Sequence, residues 1–330
     1  METFEGGPGW GNVQHLRVCG IVKHSFSVLF ARAKLFLAIA VTLTLPLCFI
    51  VLAHYLAIDP LVTRMRRYQD MEDIDGSLRH RITADRIRLG LLLAAYVLLV
   101  LAFALLSTAA TVYSVACIYT KRTLTFRKVI SVLPKVWRRL LITFLWAFVF
   151  VFFLLGAFLA IVLFVFLVFY PLSFIVAEVM WWIVSLLFAA ALFHFTCIFN
   201  LASVISVLEE SNGIKALKKS NLLIKGKRIE AYCLYALYLI FTSLVVIGFD
   251  FASLSLSKVG LRVLIAIIFA VILAVVEEIG IMVFTILYFT CKAYHHESID
   301  MLALSEHLGA YAGEYVNLRA SVQMESTQRV

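Results

Sequence analysis

The amino-acid sequence predicts an all-α, polytopic integral membrane protein with six transmembrane helices and three cytosolic amphipathic interfacial helices. Three observations carry that expectation. The 330 residues are 63% hydrophobic and only 15% charged, outside the range of soluble globular chains. The apolar residues gather into runs of more than about eighteen, long enough to cross a hydrocarbon core of roughly 30 Å. A β-barrel would instead need alternating segments of about ten residues. Finally, the basic residues behind the net charge of +9 sit in segments flanking the apolar runs, where they set topology and meet lipid headgroups rather than nucleic acid.

Taken in order, residues 1–12 are Gly-rich and acidic (Glu2, Glu5, Gly6, Gly7, Gly9) and read as a disordered N-terminal tail. From Val13 to Ala33, Leu16, Val22, Phe26, Leu29 and Phe30 alternate with Arg17, Lys23, His24 and Arg32 at helical spacing, which gives the first interfacial helix. A membrane domain over 13–295 then carries spans at about 34–58, 89–119, 140–169, 180–206, 229–249 and 261–291. Pro46 lies inside the first span, where proline kinks a transmembrane helix but is tolerated. The connection from Asp59 to Arg88 carries both signs of charge heavily and reads as a solvated, partly helical loop. A second basic amphipathic segment, Thr123–Arg139, sets Phe126, Val129, Ile130, Leu133 and Trp137 against Arg127, Lys128, Lys135, Arg138 and Arg139. Trp181 and Trp182 stand where an interfacial aromatic belt falls. The tail, 296–330, is polar, and Ser298–Tyr315 reads as a short surface helix.

With six spans, the loops on the side of the two termini carry roughly twice as many Lys and Arg as the opposite loops. The positive-inside rule therefore puts both termini and all three amphipathic segments in the cytosol, in an endomembrane or the plasma membrane. The lipid bilayer, and specifically anionic headgroups of the cytosolic leaflet, is the expected partner, with membrane or cytosolic proteins as further partners and no nucleic acid.

The stretch from Val207 to Arg228 is the longest polar interruption in the second half of the chain. Ile214, Leu217 and Leu222 fall at helical spacing among Lys215, Lys218, Lys219 and Lys225, the pattern of a basic helix on an anionic surface. Candidate headgroup contacts are Lys215, Lys218, Lys219, Lys225, Lys227, Arg228, Arg138 and Arg139. Glu209 and Glu210 read as an N-cap region, since acids favour a helix N-terminus, and Gly226 as the helix stop. The three interfacial segments can be aligned at Ser27, Ser131 and Ser220, with a basic residue seven positions later at Lys34, Arg138 and Lys227, as in an internal repeat. The alternative is that any interfacial helix before a span looks alike.

The residues Glu209, Gly213, Ala216-Leu217, Ser220, Leu223 and Gly226 follow the pattern E-x-x-x-G-x-x-A-L-x-x-S-x-x-L-x-x-G. That pattern resembles the signature of the glycerophosphoryl diester phosphodiesterase membrane-domain-like family. The end of span six, Leu287-Tyr288-Phe289-Thr290-Cys291-Lys292 with Asp300 after it, is similar to that family's closing segment. Layout and size look closest to its uncharacterised six-span plant members. The resemblance implies a membrane fold without the phosphodiesterase activity, because that chemistry belongs to a separate barrel of about 250 residues.

Two adjacent carboxylates, Glu277 and Glu278, lie inside span six, about thirteen residues or roughly 20 Å before its cytosolic end. Ionised carboxylates are costly there unless paired, protonated or wet. One reading is an intramembrane ion or proton site. The other starts span six near Val271, leaving the pair in a shallow outer vestibule or matched with Lys258 or Arg262. His54 and His194 read as packing residues, and Asn200 as a helix bridge. No P-loop, nucleophile elbow, HExxH or metal-ligand spacing occurs. The expectation is a non-enzymatic protein without a cofactor or metal that organises lipid or partner proteins, with a small-solute or ion transporter at Glu277/Glu278 as the alternative.

Overall fold

The computed structural model describes residues 17–54, 78–120, 125–171, 173–254 and 259–295, and no strand occurs among them. The helices are α1 (Val18–Ala31), α2 (Ala33–His54, with a π-helical turn at Ala40–Thr44), α3 (Leu78–Tyr119), α4 (Phe126–Phe169), α5 (Phe174–Leu208), α6 (Gly213–Leu223), α7 (Arg228–Leu254) and α8 (Val259–Tyr294). The expected tails at 1–12 and 296–330, and the charged connection at 59–77, lie outside the described residues.

Six helices (α2, α3, α4, α5, α7 and α8) are long and apolar enough to cross a membrane. They also leave large apolar side chains uncovered: Phe153 is 71% exposed and Leu186 72%. Apolar surface of this extent marks a membrane-facing protein, and this chain is an integral membrane protein.

Helix boundaries depart from the sequence reading most at α4, where the second basic segment and span three form one uninterrupted helix through Pro134. The reason is its buried stripe. Val129, Val132, Leu133, Val136, Leu140, Thr143 and Ala147 continue at helical spacing across the polar-to-apolar boundary, so nothing in the packing asks for a break. At 1.5 Å per residue, α4 is about 66 Å long, about twice the hydrocarbon core, so its first turns stand outside the span. Of the three serines that the sequence aligns, Ser220 is buried whereas Ser27 and Ser131 are exposed.

The chain divides into two compact units. In the first (residues 1–21, 112–232 and 284–330), α4 packs on α5 and the short α6 packs on both. Its interior is built from the last turns of α5, where Leu201, Ala202 and Ile205 are fully buried, and from the end of α8, where Phe289 lies against Tyr119 with ring centroids 4.8 Å apart. In the second (residues 22–111 and 233–283), Ala266, Ala270 and Ala274 form a small-residue stripe on α8. Cys48 and Leu52 of α2 and Phe249 of α7 pack into the same core. Small side chains at four-residue spacing let membrane helices approach closely where no hydrophobic drive pulls them together.

Between α6 and α7 the chain turns through Gly226 at φ +96°, where any Cβ would run into the Tyr294 ring. Gly156, by contrast, has open space on α4. We expect Gly226→Ala to destabilise the folded protein by about 1–3 kcal/mol, and Gly156→Ala to be neutral or stabilising by up to roughly 1 kcal/mol. Thermal unfolding of both variants in the same detergent checks this, and equal melting temperatures would refute it.

Candidate functional site

The segment from Glu209 to Arg228 folds as a short helix laid across two long ones, and the residues spaced along it have geometric roles. Asn212, rather than Glu209 or Glu210, is the N-cap of α6. Gly213 follows at φ +57° and donates its N–H to Thr143 Oγ1 at 2.8 Å. A Cβ there would come within 2.8 Å of the Trp146 ring, so only glycine lets α6 start against α4. Ala216 is fully buried, and the Ser220 hydroxyl, also buried, donates to the Ile198 carbonyl of α5 at 2.7 Å. That bond satisfies an interior carbonyl with a group that would otherwise be stranded.

Glu209 closes this arrangement from the end of α5. Its carboxylate pairs with Lys219 of α6 at 2.7 Å and Lys292 of α8 at 3.2 Å, and accepts a hydrogen bond from the Tyr288 hydroxyl at 2.7 Å. Arg139 of α4 donates to its backbone carbonyl at 3.4 Å. Burial raises the carboxyl pKa, but hydrogen bonds from Lys219 and Tyr288 and the charges of Lys292 and Lys219 outweigh that, so it stays below its ordinary value.

The candidate headgroup residues divide accordingly. Lys219 belongs to the Glu209 cluster. Lys227 is 8% exposed, pairs with Glu230 at 3.3 Å and lies over the Tyr294 ring, so it faces inward. Arg139 is partly buried. Lys215, Lys218, Lys225, Arg228 and Arg138 are exposed. Lys215, Lys218, Lys219 and Lys225 line a shallow basin of about 670 Å³ beside α6, together with Leu222, Leu223 and His295. An apolar groove of about 790 Å³ runs alongside, walled by α4, α5 and α6. Lys218 lines both.

Glu277 and Glu278 sit in the second unit among hydroxyls. Glu278, 3% exposed, accepts from Thr44 of α2 at 2.9 Å and from Thr111 of α3 at 2.8 Å, one hydroxyl to each oxygen. Glu277 accepts from Tyr238 of α7, with both oxygens within 2.9 Å of the phenol. Gly280 makes this possible, since a Cβ there would lie 2.7 Å from the Tyr238 ring. Thr44 is the last residue of the π-helical turn in α2, an irregularity common at functional positions. Glu278 is interior to the second unit, and α8 begins at Val259, before the alternative span start near Val271. Lys258 lies outside the described residues. Thr44, Thr111 and Tyr238 were not legible as partners, because one hydroxyl in an apolar span has no periodic signature. Neither groove is lined by either glutamate. His54 stacks on Tyr96, His194 bonds the Tyr232 hydroxyl at 2.7 Å, and Asn200 donates to Thr196 of its own helix rather than bridging two.

A family model described as a domain of unknown function (DUF8558) matches residues 10–327. No curated protein and no solved structure matches the chain.

Because the Glu209 carboxyl is held below its ordinary pKa, it adds stability above the unfolded carboxylate range of about 4, and that stability is lost as pH falls through the lower folded value. Glu209→Gln is expected to cost on the order of 2–3 kcal/mol at neutral pH, less than a completely buried pair because Lys219 keeps solvent contact. It should also flatten the acid limb of the stability curve. Melting temperatures of both proteins between pH 3 and pH 7 check this, and an unchanged acid limb would refute it.

Proposed function

We propose that this chain, which belongs to the DUF8558 family, is a non-enzymatic multi-pass membrane protein that organises lipid or partner proteins by holding anionic headgroups of the cytosolic leaflet against α6. One observation carries this reading. The inward face of α6 is used up by Gly213, Ala216, Ser220 and Leu223, while Lys215, Lys218 and Lys225 stand exposed beside Ile214 at 41% and Leu222 at 58% exposure. Lysines interleaved with uncovered apolar side chains, on a helix clamped to membrane spans, suit the boundary between headgroups and acyl chains. Each lysine near an anionic surface is worth about 1 kcal/mol, so three together favour anionic over neutral lipid by roughly a hundredfold. The exposed outer faces of α1, with Lys23 and Phe30, and of the first turns of α4, with Lys135, Trp137 and Arg138, support the same role.

A second reading, a proton or ion transporter, is favoured by the hydroxyl-lined setting of Glu277 and Glu278, since a carboxylate within a membrane span defaults to a functional hypothesis.

Spin-labelled phosphatidylglycerol and phosphatidylcholine in reconstituted bilayers measure the preference directly. The wild type is expected to select the anionic lipid, and Lys215→Gln/Lys218→Gln/Lys225→Gln to lose most of that selection. Retained selectivity would sink the headgroup reading. In proteoliposomes, no proton or cation flux is expected from wild type or from Glu277→Gln/Glu278→Gln. Flux in the wild type that the double change abolishes would instead establish the transporter.

A further inference from the structure

The groove walled by α4, α5 and α6 has two unlike ends. Its floor is apolar and partly aromatic, with Phe150 of α4 stacked on Phe195 of α5 at a centroid separation of 4.2 Å. Trp146 continues the wall to the start of α6, where the absence of a side chain on Gly213 lets the indole lie against the backbone. Where the groove meets α6, Lys218 and Asn221 bring polar groups in beside Ile214 and Leu217. Lys218 also lines the adjoining basin, which adds Lys215 and Lys225. At about 790 Å³ the groove lies within the roughly 300–1,000 Å³ that holds a drug-sized ligand.

We infer that the groove and the basin are one site for a single anionic glycerophospholipid, with an acyl chain along Trp146, Phe150 and Phe195 and the phosphate over Lys218 and Lys215. This deepens the headgroup reading above and rests on it. Charge complementarity selects the occupant. An apolar slot opening onto clustered ammonium groups matches an amphiphile with an anionic head, since the chain replaces lipid against aromatic walls while the phosphate neutralises charge. A helix from a partner protein would fill the slot but leave the lysines unanswered. A neutral phospholipid would supply the chain without the counter-charge. Asn221, with both an amide donor and a carbonyl acceptor, can bond the ester or glycerol oxygens between head and chain. The site differs from the general basic surface in stoichiometry: a surface enriches many lipids weakly, and a groove holds one.

The test is native mass spectrometry of delipidated full-length protein in detergent, titrated with palmitoyl-oleoyl phosphatidylglycerol or the matching phosphatidylcholine. The wild type is expected to retain one phosphatidylglycerol per chain, roughly thirtyfold tighter than phosphatidylcholine, as two lysines at a lipid surface would give. Ala191→Trp, which fills the groove from α5, should weaken retention by at least about tenfold, because several methylenes lose their burial. Its spin-label selectivity in bilayers should persist, since the lysines are untouched. Leu154→Trp fills the groove from α4 and gives the same answer if Ala191→Trp fails to fold. Unchanged retention in a folded groove-filling variant overturns the site and leaves the surface reading standing. Equal retention of the two lipids by the wild type also overturns it. Loss of bilayer selectivity in neither Lys215→Gln nor Lys218→Gln, nor in their combination, refutes the reading on which the site rests.

Discussion

A carboxylate at the end of a bilayer-length helix is held by charges from two other helices, and the first unit is arranged around that fact. Glu209 stands at the C-terminal end of α5, where the helix dipole already concentrates negative charge and an acid is unwelcome. Lys219 and Lys292 reverse the local sign, Tyr288 adds a hydroxyl, and Arg139 reaches the carbonyl that the helix end leaves unsatisfied. The cluster therefore joins α4, α5, α6 and α8 at one point. Its geometric consequence is the orientation of α6. With Lys219 drawn toward Glu209 and Ser220 toward Ile198, the rotation of the helix is fixed and Lys215 and Lys218 fall on its exposed side, while Lys225 is exposed in the turn that follows.

Backbone geometry reinforces this clamp at both ends of α6. Gly213 and Gly226 adopt positive φ, and each lies where a side chain would strike an aromatic ring, Trp146 in one case and Tyr294 in the other. The two glycines thus do more than start and stop a helix. They bring α6 and its flanking turn into direct contact with the middle of α4 and the end of α8, which makes the groove wall at Trp146 part of the same construction. The short helix and the groove beside it are consequences of one set of close approaches.

The second unit treats its acidic residues differently. Glu209 is answered by cations, whereas the partners of Glu277 and Glu278 among the described residues are hydroxyls. Hydroxyl donors can serve either an ionised or a protonated carboxyl, because a hydroxyl can also accept. A lysine pair commits the acid to its charge. The contrast follows from position: Glu209 lies at a helix end, while Glu278 lies within a span, where bringing in a lysine would add a second desolvation penalty of several kcal/mol.

Much of the molecule was legible in the sequence because the bilayer imposes a length and a polarity that any chain must meet. The apolar runs located six long helices, though α4 begins at Phe126 and α3 at Leu78, well before the expected spans at 140 and 89, and the spacing from Glu209 to Gly226 located the segment on which the first unit turns. What local pattern could not decide was which helix a side chain would meet. The continuity of α4 through Pro134 came from a buried stripe whose partners lie elsewhere in the chain, and the inward turn of Lys227 came from Glu230 and Tyr294. Glu209 looked like a cap because its nearest sequence neighbours are a helix start, yet its partners are ten and eighty-three residues away, at Lys219 and Lys292. Hydrophobic periodicity is a property of one helix and can be read from one stretch of sequence. Ion pairs, glycine contacts and grooves belong to pairs and triples of helices, so only their packing could determine them.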